Sequence, residues 1–134
     1  MEPERKTMMD VLGIEVEKYS PDEIIMTMPV DERTHQPYGL LHGGASVALA
    51  ETAASYGTFL NLDPEKQLAV GLEINANHIR SKRSGIVRAR AVPFHKGRTT
   101  MVWDIRITDE REKLICVSRC TIAIVDREKI ENAN

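Results

Sequence analysis

The stretch from Ala45 to Leu60 constrains the fold more than any other part of the chain. It has no proline and carries Ala45, Ala48, Leu49, Ala50, Ala53, Ala54 and Phe59, a composition that favours a helix of about four turns. Most of its side chains are small: Ala45, Ser46, Ala48, Ala50, Thr52, Ala53, Ala54, Ser55 and Gly57. So lean a helix implies that other backbone packs closely around it, as when a curved sheet wraps a central helix. It is also the only long helix that the sequence predicts.

The remainder reads as strands. Ile14–Tyr19 and Glu23–Val30 predict an opening hairpin, the second strand alternating Ile24, Met26, Met28 and Val30 against Ile25 and Thr27. Asp31–Gly39 is rich in polar and turn residues and predicts an irregular loop leading to Gly43 and Gly44. After a second loop at Asn61–Gln67, four strands are expected at Gln67–Ile79, Gly85–Phe94, Arg98–Thr108 and Lys113–Val125. The third of these alternates Met101, Trp103, Ile105 and Ile107 against Val102, Asp104 and Arg106. Short links such as Asp109–Glu112 favour antiparallel neighbours. The expected class is α+β, an antiparallel five- to six-stranded sheet around one long central helix. A chain of 134 residues suits one domain, with its core at about 12–125.

Composition excludes several functions. The net charge of −2 carries no basic excess for nucleic acid or an anionic membrane, so neither partner is expected and any polyanion site must be local. No apolar run approaches the roughly 20 residues of a membrane span, and the start, MEPERKTMMD, lacks the apolar segment of a signal peptide. A cytoplasmic location is therefore expected. Cys116 and Cys120 share one predicted strand and stand roughly 13 Å apart, too far for a disulfide. With no CxxC pair and four scattered histidines, no metal site is expected.

The most informative segment is Gln36–Ser55, where a loop and two glycines lead into the helix. Backbone N–H groups at a helix start lack intrahelical acceptors, so Gly43 and Gly44 can bind an oxyanion or simply make the turn. Glu51 sits amid small apolar residues, a costly place for a carboxylate without a task or partners. It reads as a nucleophile or base, or as a solvated position on a partly exposed helix. Ser55 lies four residues later on the same face, either serving Glu51 or filling a packing contact. His42 is expected to hold the loop by bonding backbone. The run Gly44-Ala45-Ser46-Val47-Ala48 lacks the second glycine of a nucleophile elbow, which argues against a serine hydrolase.

Along one helix Gly43 and Glu51 stand roughly 12 Å apart, whereas donor and attacking group must both lie within about 3–3.5 Å of the reacting atoms. A second, antiparallel copy of the helix would bring Glu51 beside Gly43, so a composite site between chains is expected. A basic constellation, Arg80, Lys82, Arg83, Lys96 and Arg98, lies in NHIRSKR and FHKGRTT. It suits the phosphates of a small molecule or a solvated strand edge.

Gln36-Pro37-Tyr38-Gly39-Leu40-Leu41-His42-Gly43-Gly44, followed by Leu49-Ala50-Glu51-Thr52, resembles the signature of hotdog-fold thioesterases of the 4-hydroxybenzoyl-CoA thioesterase type. Gly71-Leu72-Glu73-Ile74-Asn75-Ala76-Asn77-His78 is similar to the 1,4-dihydroxy-2-naphthoyl-CoA hydrolases of menaquinone biosynthesis. The resemblance runs from roughly Ile24 to Val125. It implies hydrolysis of an aromatic acyl-CoA to free acid and CoA, with coenzyme A as part of the substrate and no separate cofactor. Glu51 would be the nucleophile or the base for water, and the Gly43 N–H the oxyanion donor. Gln36 would contact the thioester carbonyl, His42 would support the loop, and Ser55 would position water. Gly71, the segment His78, Ile79, Arg80 and Ser81, and the segment His95, Lys96, Gly97, Arg98, Thr99 and Thr100 match positions that hold coenzyme A. The family also implies a dimer with a shared site, and dimers paired into tetramers. Tyr56, Phe59, Leu60 and the Asn61–Gln67 loop, which could line the acyl end, match no motif that names a substrate. Two alternatives are a non-catalytic acyl-CoA-binding module and a hotdog-fold hydroxyacyl-thioester dehydratase.

Overall fold

Alternation of apolar and polar residues builds the strands at Glu23–Pro29 and Thr100–Thr108, whose buried faces meet the long helix. In the computed structural model, which describes residues 5–132, the chain runs α1 (Met8–Leu12), β1 (Glu15–Ser20), β2 (Glu23–Pro29), α2 (Gly43–Phe59), β3 (Gln67–His78), β4 (Ile86–Lys96), β5 (Thr100–Thr108), β6 (Leu114–Asp126) and α3 (Arg127–Glu131). Of the start MEPERKTMMD, expected to lack the apolar segment of a signal peptide, residues 1–4 lie outside the described residues. All pairings are antiparallel, and the strands lie in the order β1-β2-β4-β5-β6-β3. This is the α+β architecture expected, with six strands.

The inward residues are those the alternation named. Ile24, Met26 and Met28 on β2 and Trp103, Ile105 and Ile107 on β5 are fully buried, facing Leu49, Ala50, Ala53 and Ala54 of α2. Each large aliphatic side chain so buried contributes roughly 1.5–3 kcal/mol. The small residues of α2 have a visible cause at Gly57, where an added Cβ would collide with the Trp103 ring. The Trp103 indole N–H donates to Thr58 Oγ1 over 2.8 Å, so this large ring is paired as well as buried.

Several boundaries differ from expectation. α2 starts at Gly43 rather than Ala45, because His42 caps it and the glycine pair forms its first turn instead of a separate tight turn. β4 continues to Lys96 through a register shift between Pro93 and His95 that leaves Phe94 two-thirds exposed. β5 begins at Thr100, since the Gly97 N–H donates to the Thr100 carbonyl and closes the preceding turn. α1 and α3, of five residues each, are too short to show a helical period. α1 is held by ends instead: the Thr7 N–H donates to Asp10 Oδ2 over 2.8 Å, and Gly13 takes the left-handed conformation at φ 74°.

No helix among the described residues is long and apolar enough to cross a membrane. Cys116 and Cys120 are both free and buried on β6. β3 is an edge strand; among the described residues its outer side pairs with nothing, and it exposes Val70 and Leu72.

Candidate active site

The irregular loop expected at Asp31–Gly39 is a run of turns and bends, tightly bonded through to His42. Thr34 is buried and its Oγ1 donates to the Pro29 carbonyl, while the His42 N–H donates to the Thr34 carbonyl. Gln36 organises the next turn: its Oε1 accepts from the Tyr38 N–H, its N–H donates to Leu40, and its carbonyl accepts from Gly39, which adopts φ 77°. The Leu41 N–H reaches the Lys82 carbonyl, and His35 Nε2 bonds the Arg83 carbonyl. The glycine end of α2 is therefore fastened to the segment after β3.

Two candidate donors are reduced to one. His42 Nδ1 accepts from the Gly44 N–H over 2.7 Å, which is the backbone-holding role expected of this histidine and occupies Gly44. Among the described residues the Gly43 N–H has no acceptor. The His78 ring lies directly over Gly43, so that an added Cβ would come within 2.7 Å of His78 Nε2. Gly43, Gln36, His78, Ile79, Arg80 and Ser81 line one depression of about 330 Å³. Ser46 reaches its floor but is otherwise buried, far from the exposed geometry of a serine nucleophile.

Glu51 projects from the middle of α2 into a different depression, of about 520 Å³, together with Ser55, Tyr56 and residues of α1. Its carboxylate lies against Gly71 of β3 so closely that a Cβ there would collide with Oε2. The adjacent Leu72 is an extra residue in the register of β3 against β6, a bulge that bends the strand at this point. Among the described residues Glu51 has neither an ion-pair nor a hydrogen-bond partner, and Ser55 lines the depression without bonding it. The nearby Cys120 thiol is pushed up to about 12 by burial and by the charges of Glu51 and Glu73, so it stays protonated and is no nucleophile near neutral pH.

Donor and carboxylate thus open into separate depressions of one chain. The two basic segments are separated as well, contrary to the expectation that they gather. His78 is in register with Cys116 and, beyond it, Ile107, whereas Thr100 is in register with Ala123. Seven residues of β5 divide these rows, roughly 23 Å. Lys82 is engaged by Glu110 and Lys96 by Asp22, while Arg98 and Thr99 line a small depression beside Asp126 and Lys129. His95 packs over Gly97, where an added Cβ would lie 2.8 Å from its Nε2. Among the described residues no cluster of His, Cys, Asp or Glu converges in a way that could hold a metal ion.

The sequence reading missed Met8, Met9 and Leu12 of α1, which wall the Glu51 depression. The only local signals for them are Thr7, Asp10 and Gly13. Of the acyl-end residues, Tyr56 and Phe59 line an adjoining depression of about 440 Å³ with Tyr19, Leu68 and Ala69. The Asn61–Gln67 loop faces elsewhere: Asn61 Nδ2 donates to the Pro21 and Gly57 carbonyls, and Glu65 and Lys66 face the C-terminal helix.

Comparison with known proteins now bears on this geometry. The family model described as "Thioesterase superfamily" matches residues 38–116, which contain Gly43, Glu51 and Gly71. The chain is 48% identical to the 1,4-dihydroxy-2-naphthoyl-CoA hydrolase of Listeria monocytogenes, over 91% of this chain and 98% of that one. It is 51% identical to the enzyme of that name from Escherichia coli, over 88% and 86% of the two chains. Among solved structures, a mutant thioesterase from Pseudomonas aeruginosa superposes with a TM-score of 0.87 at 49% identity, covering 90% of this chain and 86% of that one. A thiol-ester hydrolysing family removes the non-catalytic binding module and the dehydratase as alternatives. The chain belongs to the thioesterase superfamily, has its hotdog fold, and is a thioester hydrolase.

Proposed function

We propose that the protein hydrolyses an aromatic acyl-CoA thioester, such as 1,4-dihydroxy-2-naphthoyl-CoA, 4-hydroxybenzoyl-CoA or phenylacetyl-CoA, to the free acid and CoA. The observation that carries this reading is Glu51, an unpartnered carboxylate on a helix of small residues, held against the bare backbone of Gly71. The Gly43 N–H polarises the thioester carbonyl, assisted by Gln36, whose Oε1 is spent on the loop and whose amide N–H groups are left to donate. Glu51 then attacks the carbonyl carbon and expels CoA thiolate, leaving a mixed anhydride that water hydrolyses, or takes a proton from an attacking water that Ser55 helps to place, and CoA thiolate departs as the acid forms. Both routes use the same carboxylate, and neither calls on a metal or a separate cofactor.

The site is composite in this reading. Glu51 of one protomer meets the Gly43 loop of a partner, which is supported by their separate depressions and by the open edge of β3. Further pairing of dimers gives a tetramer. The same association brings the His78–Ser81 segment of one chain toward the His95–Thr100 segment of another, so that coenzyme A is held between chains. Names of the relatives support a role in menaquinone biosynthesis, and a cytoplasmic location is part of this reading.

The test is release of free CoA from 1,4-dihydroxy-2-naphthoyl-CoA, 4-hydroxybenzoyl-CoA, phenylacetyl-CoA and a medium-chain fatty acyl-CoA by wild type, Glu51→Ala and Glu51→Gln. Turnover that needs the Glu51 charge and favours the aromatic esters is the expected result. Equal turnover by wild type and Glu51→Ala would remove Glu51 from the mechanism, and preference for the fatty ester would overturn the aromatic class.

A further inference from the structure

Two depressions at the Glu51 end of α2 share one wall. The first, about 520 Å³, holds Glu51 and is closed on its far side by Met8, Met9 and Leu12 of α1. The second, about 440 Å³, is lined by Tyr19, Phe59 and Leu68. Tyr56 lines both. Its hydroxyl donates to Met9 Sδ over 2.9 Å, and its ring is tilted 60° against Tyr19 with centroids 5.8 Å apart. The ring is therefore braced from two directions, by α1 and by β1.

α1 contributes no fully buried residue to the core, and Met8 and Val11 are 63% and 59% exposed. It is nevertheless fixed in place. The Ile14 N–H donates to the Met9 carbonyl over 2.9 Å, and the Gly13 backbone packs so tightly on Pro29 that an added Cβ would come within 2.8 Å of Cγ. A short element that adds little to the core, yet is anchored with its thioethers facing a depression, is placed to touch what fills that depression. Thioethers make favourable contacts with ring edges and adapt to irregular shapes.

We propose that Tyr56, braced by Met9 and Tyr19, is the partition that sets the length of the acyl group. This inference rests on the reading of Glu51 as the catalytic carboxylate, which anchors the thioester carbonyl at the mouth of the first depression. A compact aromatic acyl group fills the space between Glu51 and α1 and stops at the Tyr56 ring. An extended chain needs the aromatic annex beyond it, which opens only when the ring is displaced.

The experiment measures kcat/KM for benzoyl-CoA and dodecanoyl-CoA with wild type, Tyr56→Ala, Tyr56→Phe, Met9→Ala and Met9→Leu. Hydrophobic pockets discriminate by roughly 10–200-fold on small changes in size. Tyr56→Ala, which joins the two depressions, is expected to raise the dodecanoyl-to-benzoyl ratio at least about 10-fold. Tyr56→Phe and Met9→Ala, which release the ring without removing it, should raise the ratio by smaller factors, and Met9→Leu, which keeps the apolar bulk, by less than Met9→Ala. Because Met9 is only partly buried at the margin of the core, the Met9 variants keep the test open even where Tyr56→Ala fails to fold. A wild type active on benzoyl-CoA, with both rates falling by one common factor in every folded variant, would overturn the partition alone. Equal turnover of benzoyl-CoA by wild type and Glu51→Ala would overturn the carboxylate reading and the partition with it.

Discussion

The start and the middle of α2 are built on opposite rules. At the N-terminal end nearly every backbone group is accounted for: His42 takes the Gly44 N–H, Thr34 and Gln36 tie the loop, and Lys82 and Arg83 receive it on the far side. At the first turn of the helix the Gly43 N–H has no acceptor among the described residues. In the middle of the helix the arrangement is reversed, since among the described residues Glu51 has no hydrogen-bond or ion-pair partner and its carboxylate lies against Gly71. A donor that must meet a developing negative charge gains from rigid support, because preorganised dipoles need no rearrangement during reaction. A carboxylate that must attack or accept a proton gains from having no competing bond.

That contrast can be broken at its strongest point first. Replacing Glu51 with Ala should lower kcat by roughly 10^3-fold or more, the upper part of the range for a proton-transferring group. Steady-state CoA release with Glu51→Gln alongside distinguishes charge from shape, and a Gln variant as active as wild type would refute the role of the charge.

Gly43→Pro attacks the other end. Proline is accepted at the first position of a helix, and His42 already has the extended backbone, φ −69° and ψ 130°, that a following proline requires. The variant removes the N–H and keeps the helix, with the His78 ring, 2.7 Å from the added Cβ, turning aside, and the expected loss is about 10^2–10^3-fold in kcat. Mixing it with Glu51→Ala under conditions of subunit exchange should restore activity, because each hybrid dimer retains one intact donor and one intact carboxylate at the same site. Absence of recovery despite exchange measured by mass spectrometry would place both groups in one chain.

Gly71→Ala sharpens the comparison by moving Glu51 without altering its chemistry. The new methyl group collides with Oε2, and a displacement near 1 Å is enough for a loss of about 10^2-fold in kcat. Gly71 is itself exposed on an edge strand, so thermal stability should hardly change. A parallel fall in melting temperature would show that the effect is structural. The smallest effect is expected from His42→Ala, which removes the N-cap of α2 and should cost about 1 kcal/mol in thermal unfolding. Its kcat should fall less than that of Gly43→Pro, since His42 acts on the donor only through the turn.

Much of the sheet and the long helix was legible in the sequence, and the reason is local. Period-two alternation at Ile24, Met26 and Met28 and at Met101, Trp103, Ile105 and Ile107 records which face meets the helix. The conspicuous small residues of α2 record that something large lies against them, which is Trp103 at Gly57. Boundaries were displaced where a single bond decides them, as at His42 with Gly44 and at Gly97 with Thr100.

By itself the sequence determined the class of fold, the helix that bears Glu51, the capping part of His42 and the family motif around Gly43. The first three rest on periodicity, side-chain volume and contacts between near neighbours in the chain, and the last on resemblance to a known family. Only the tertiary structure decided that Gly44 is occupied, that Gly71 holds Glu51 in place, that the two basic segments lie at opposite ends of the sheet, and that α1 reaches Tyr56. Each of these joins residues that are distant in sequence, or turns on which donor and acceptor a side chain finds, and neither a period nor a composition carries that information.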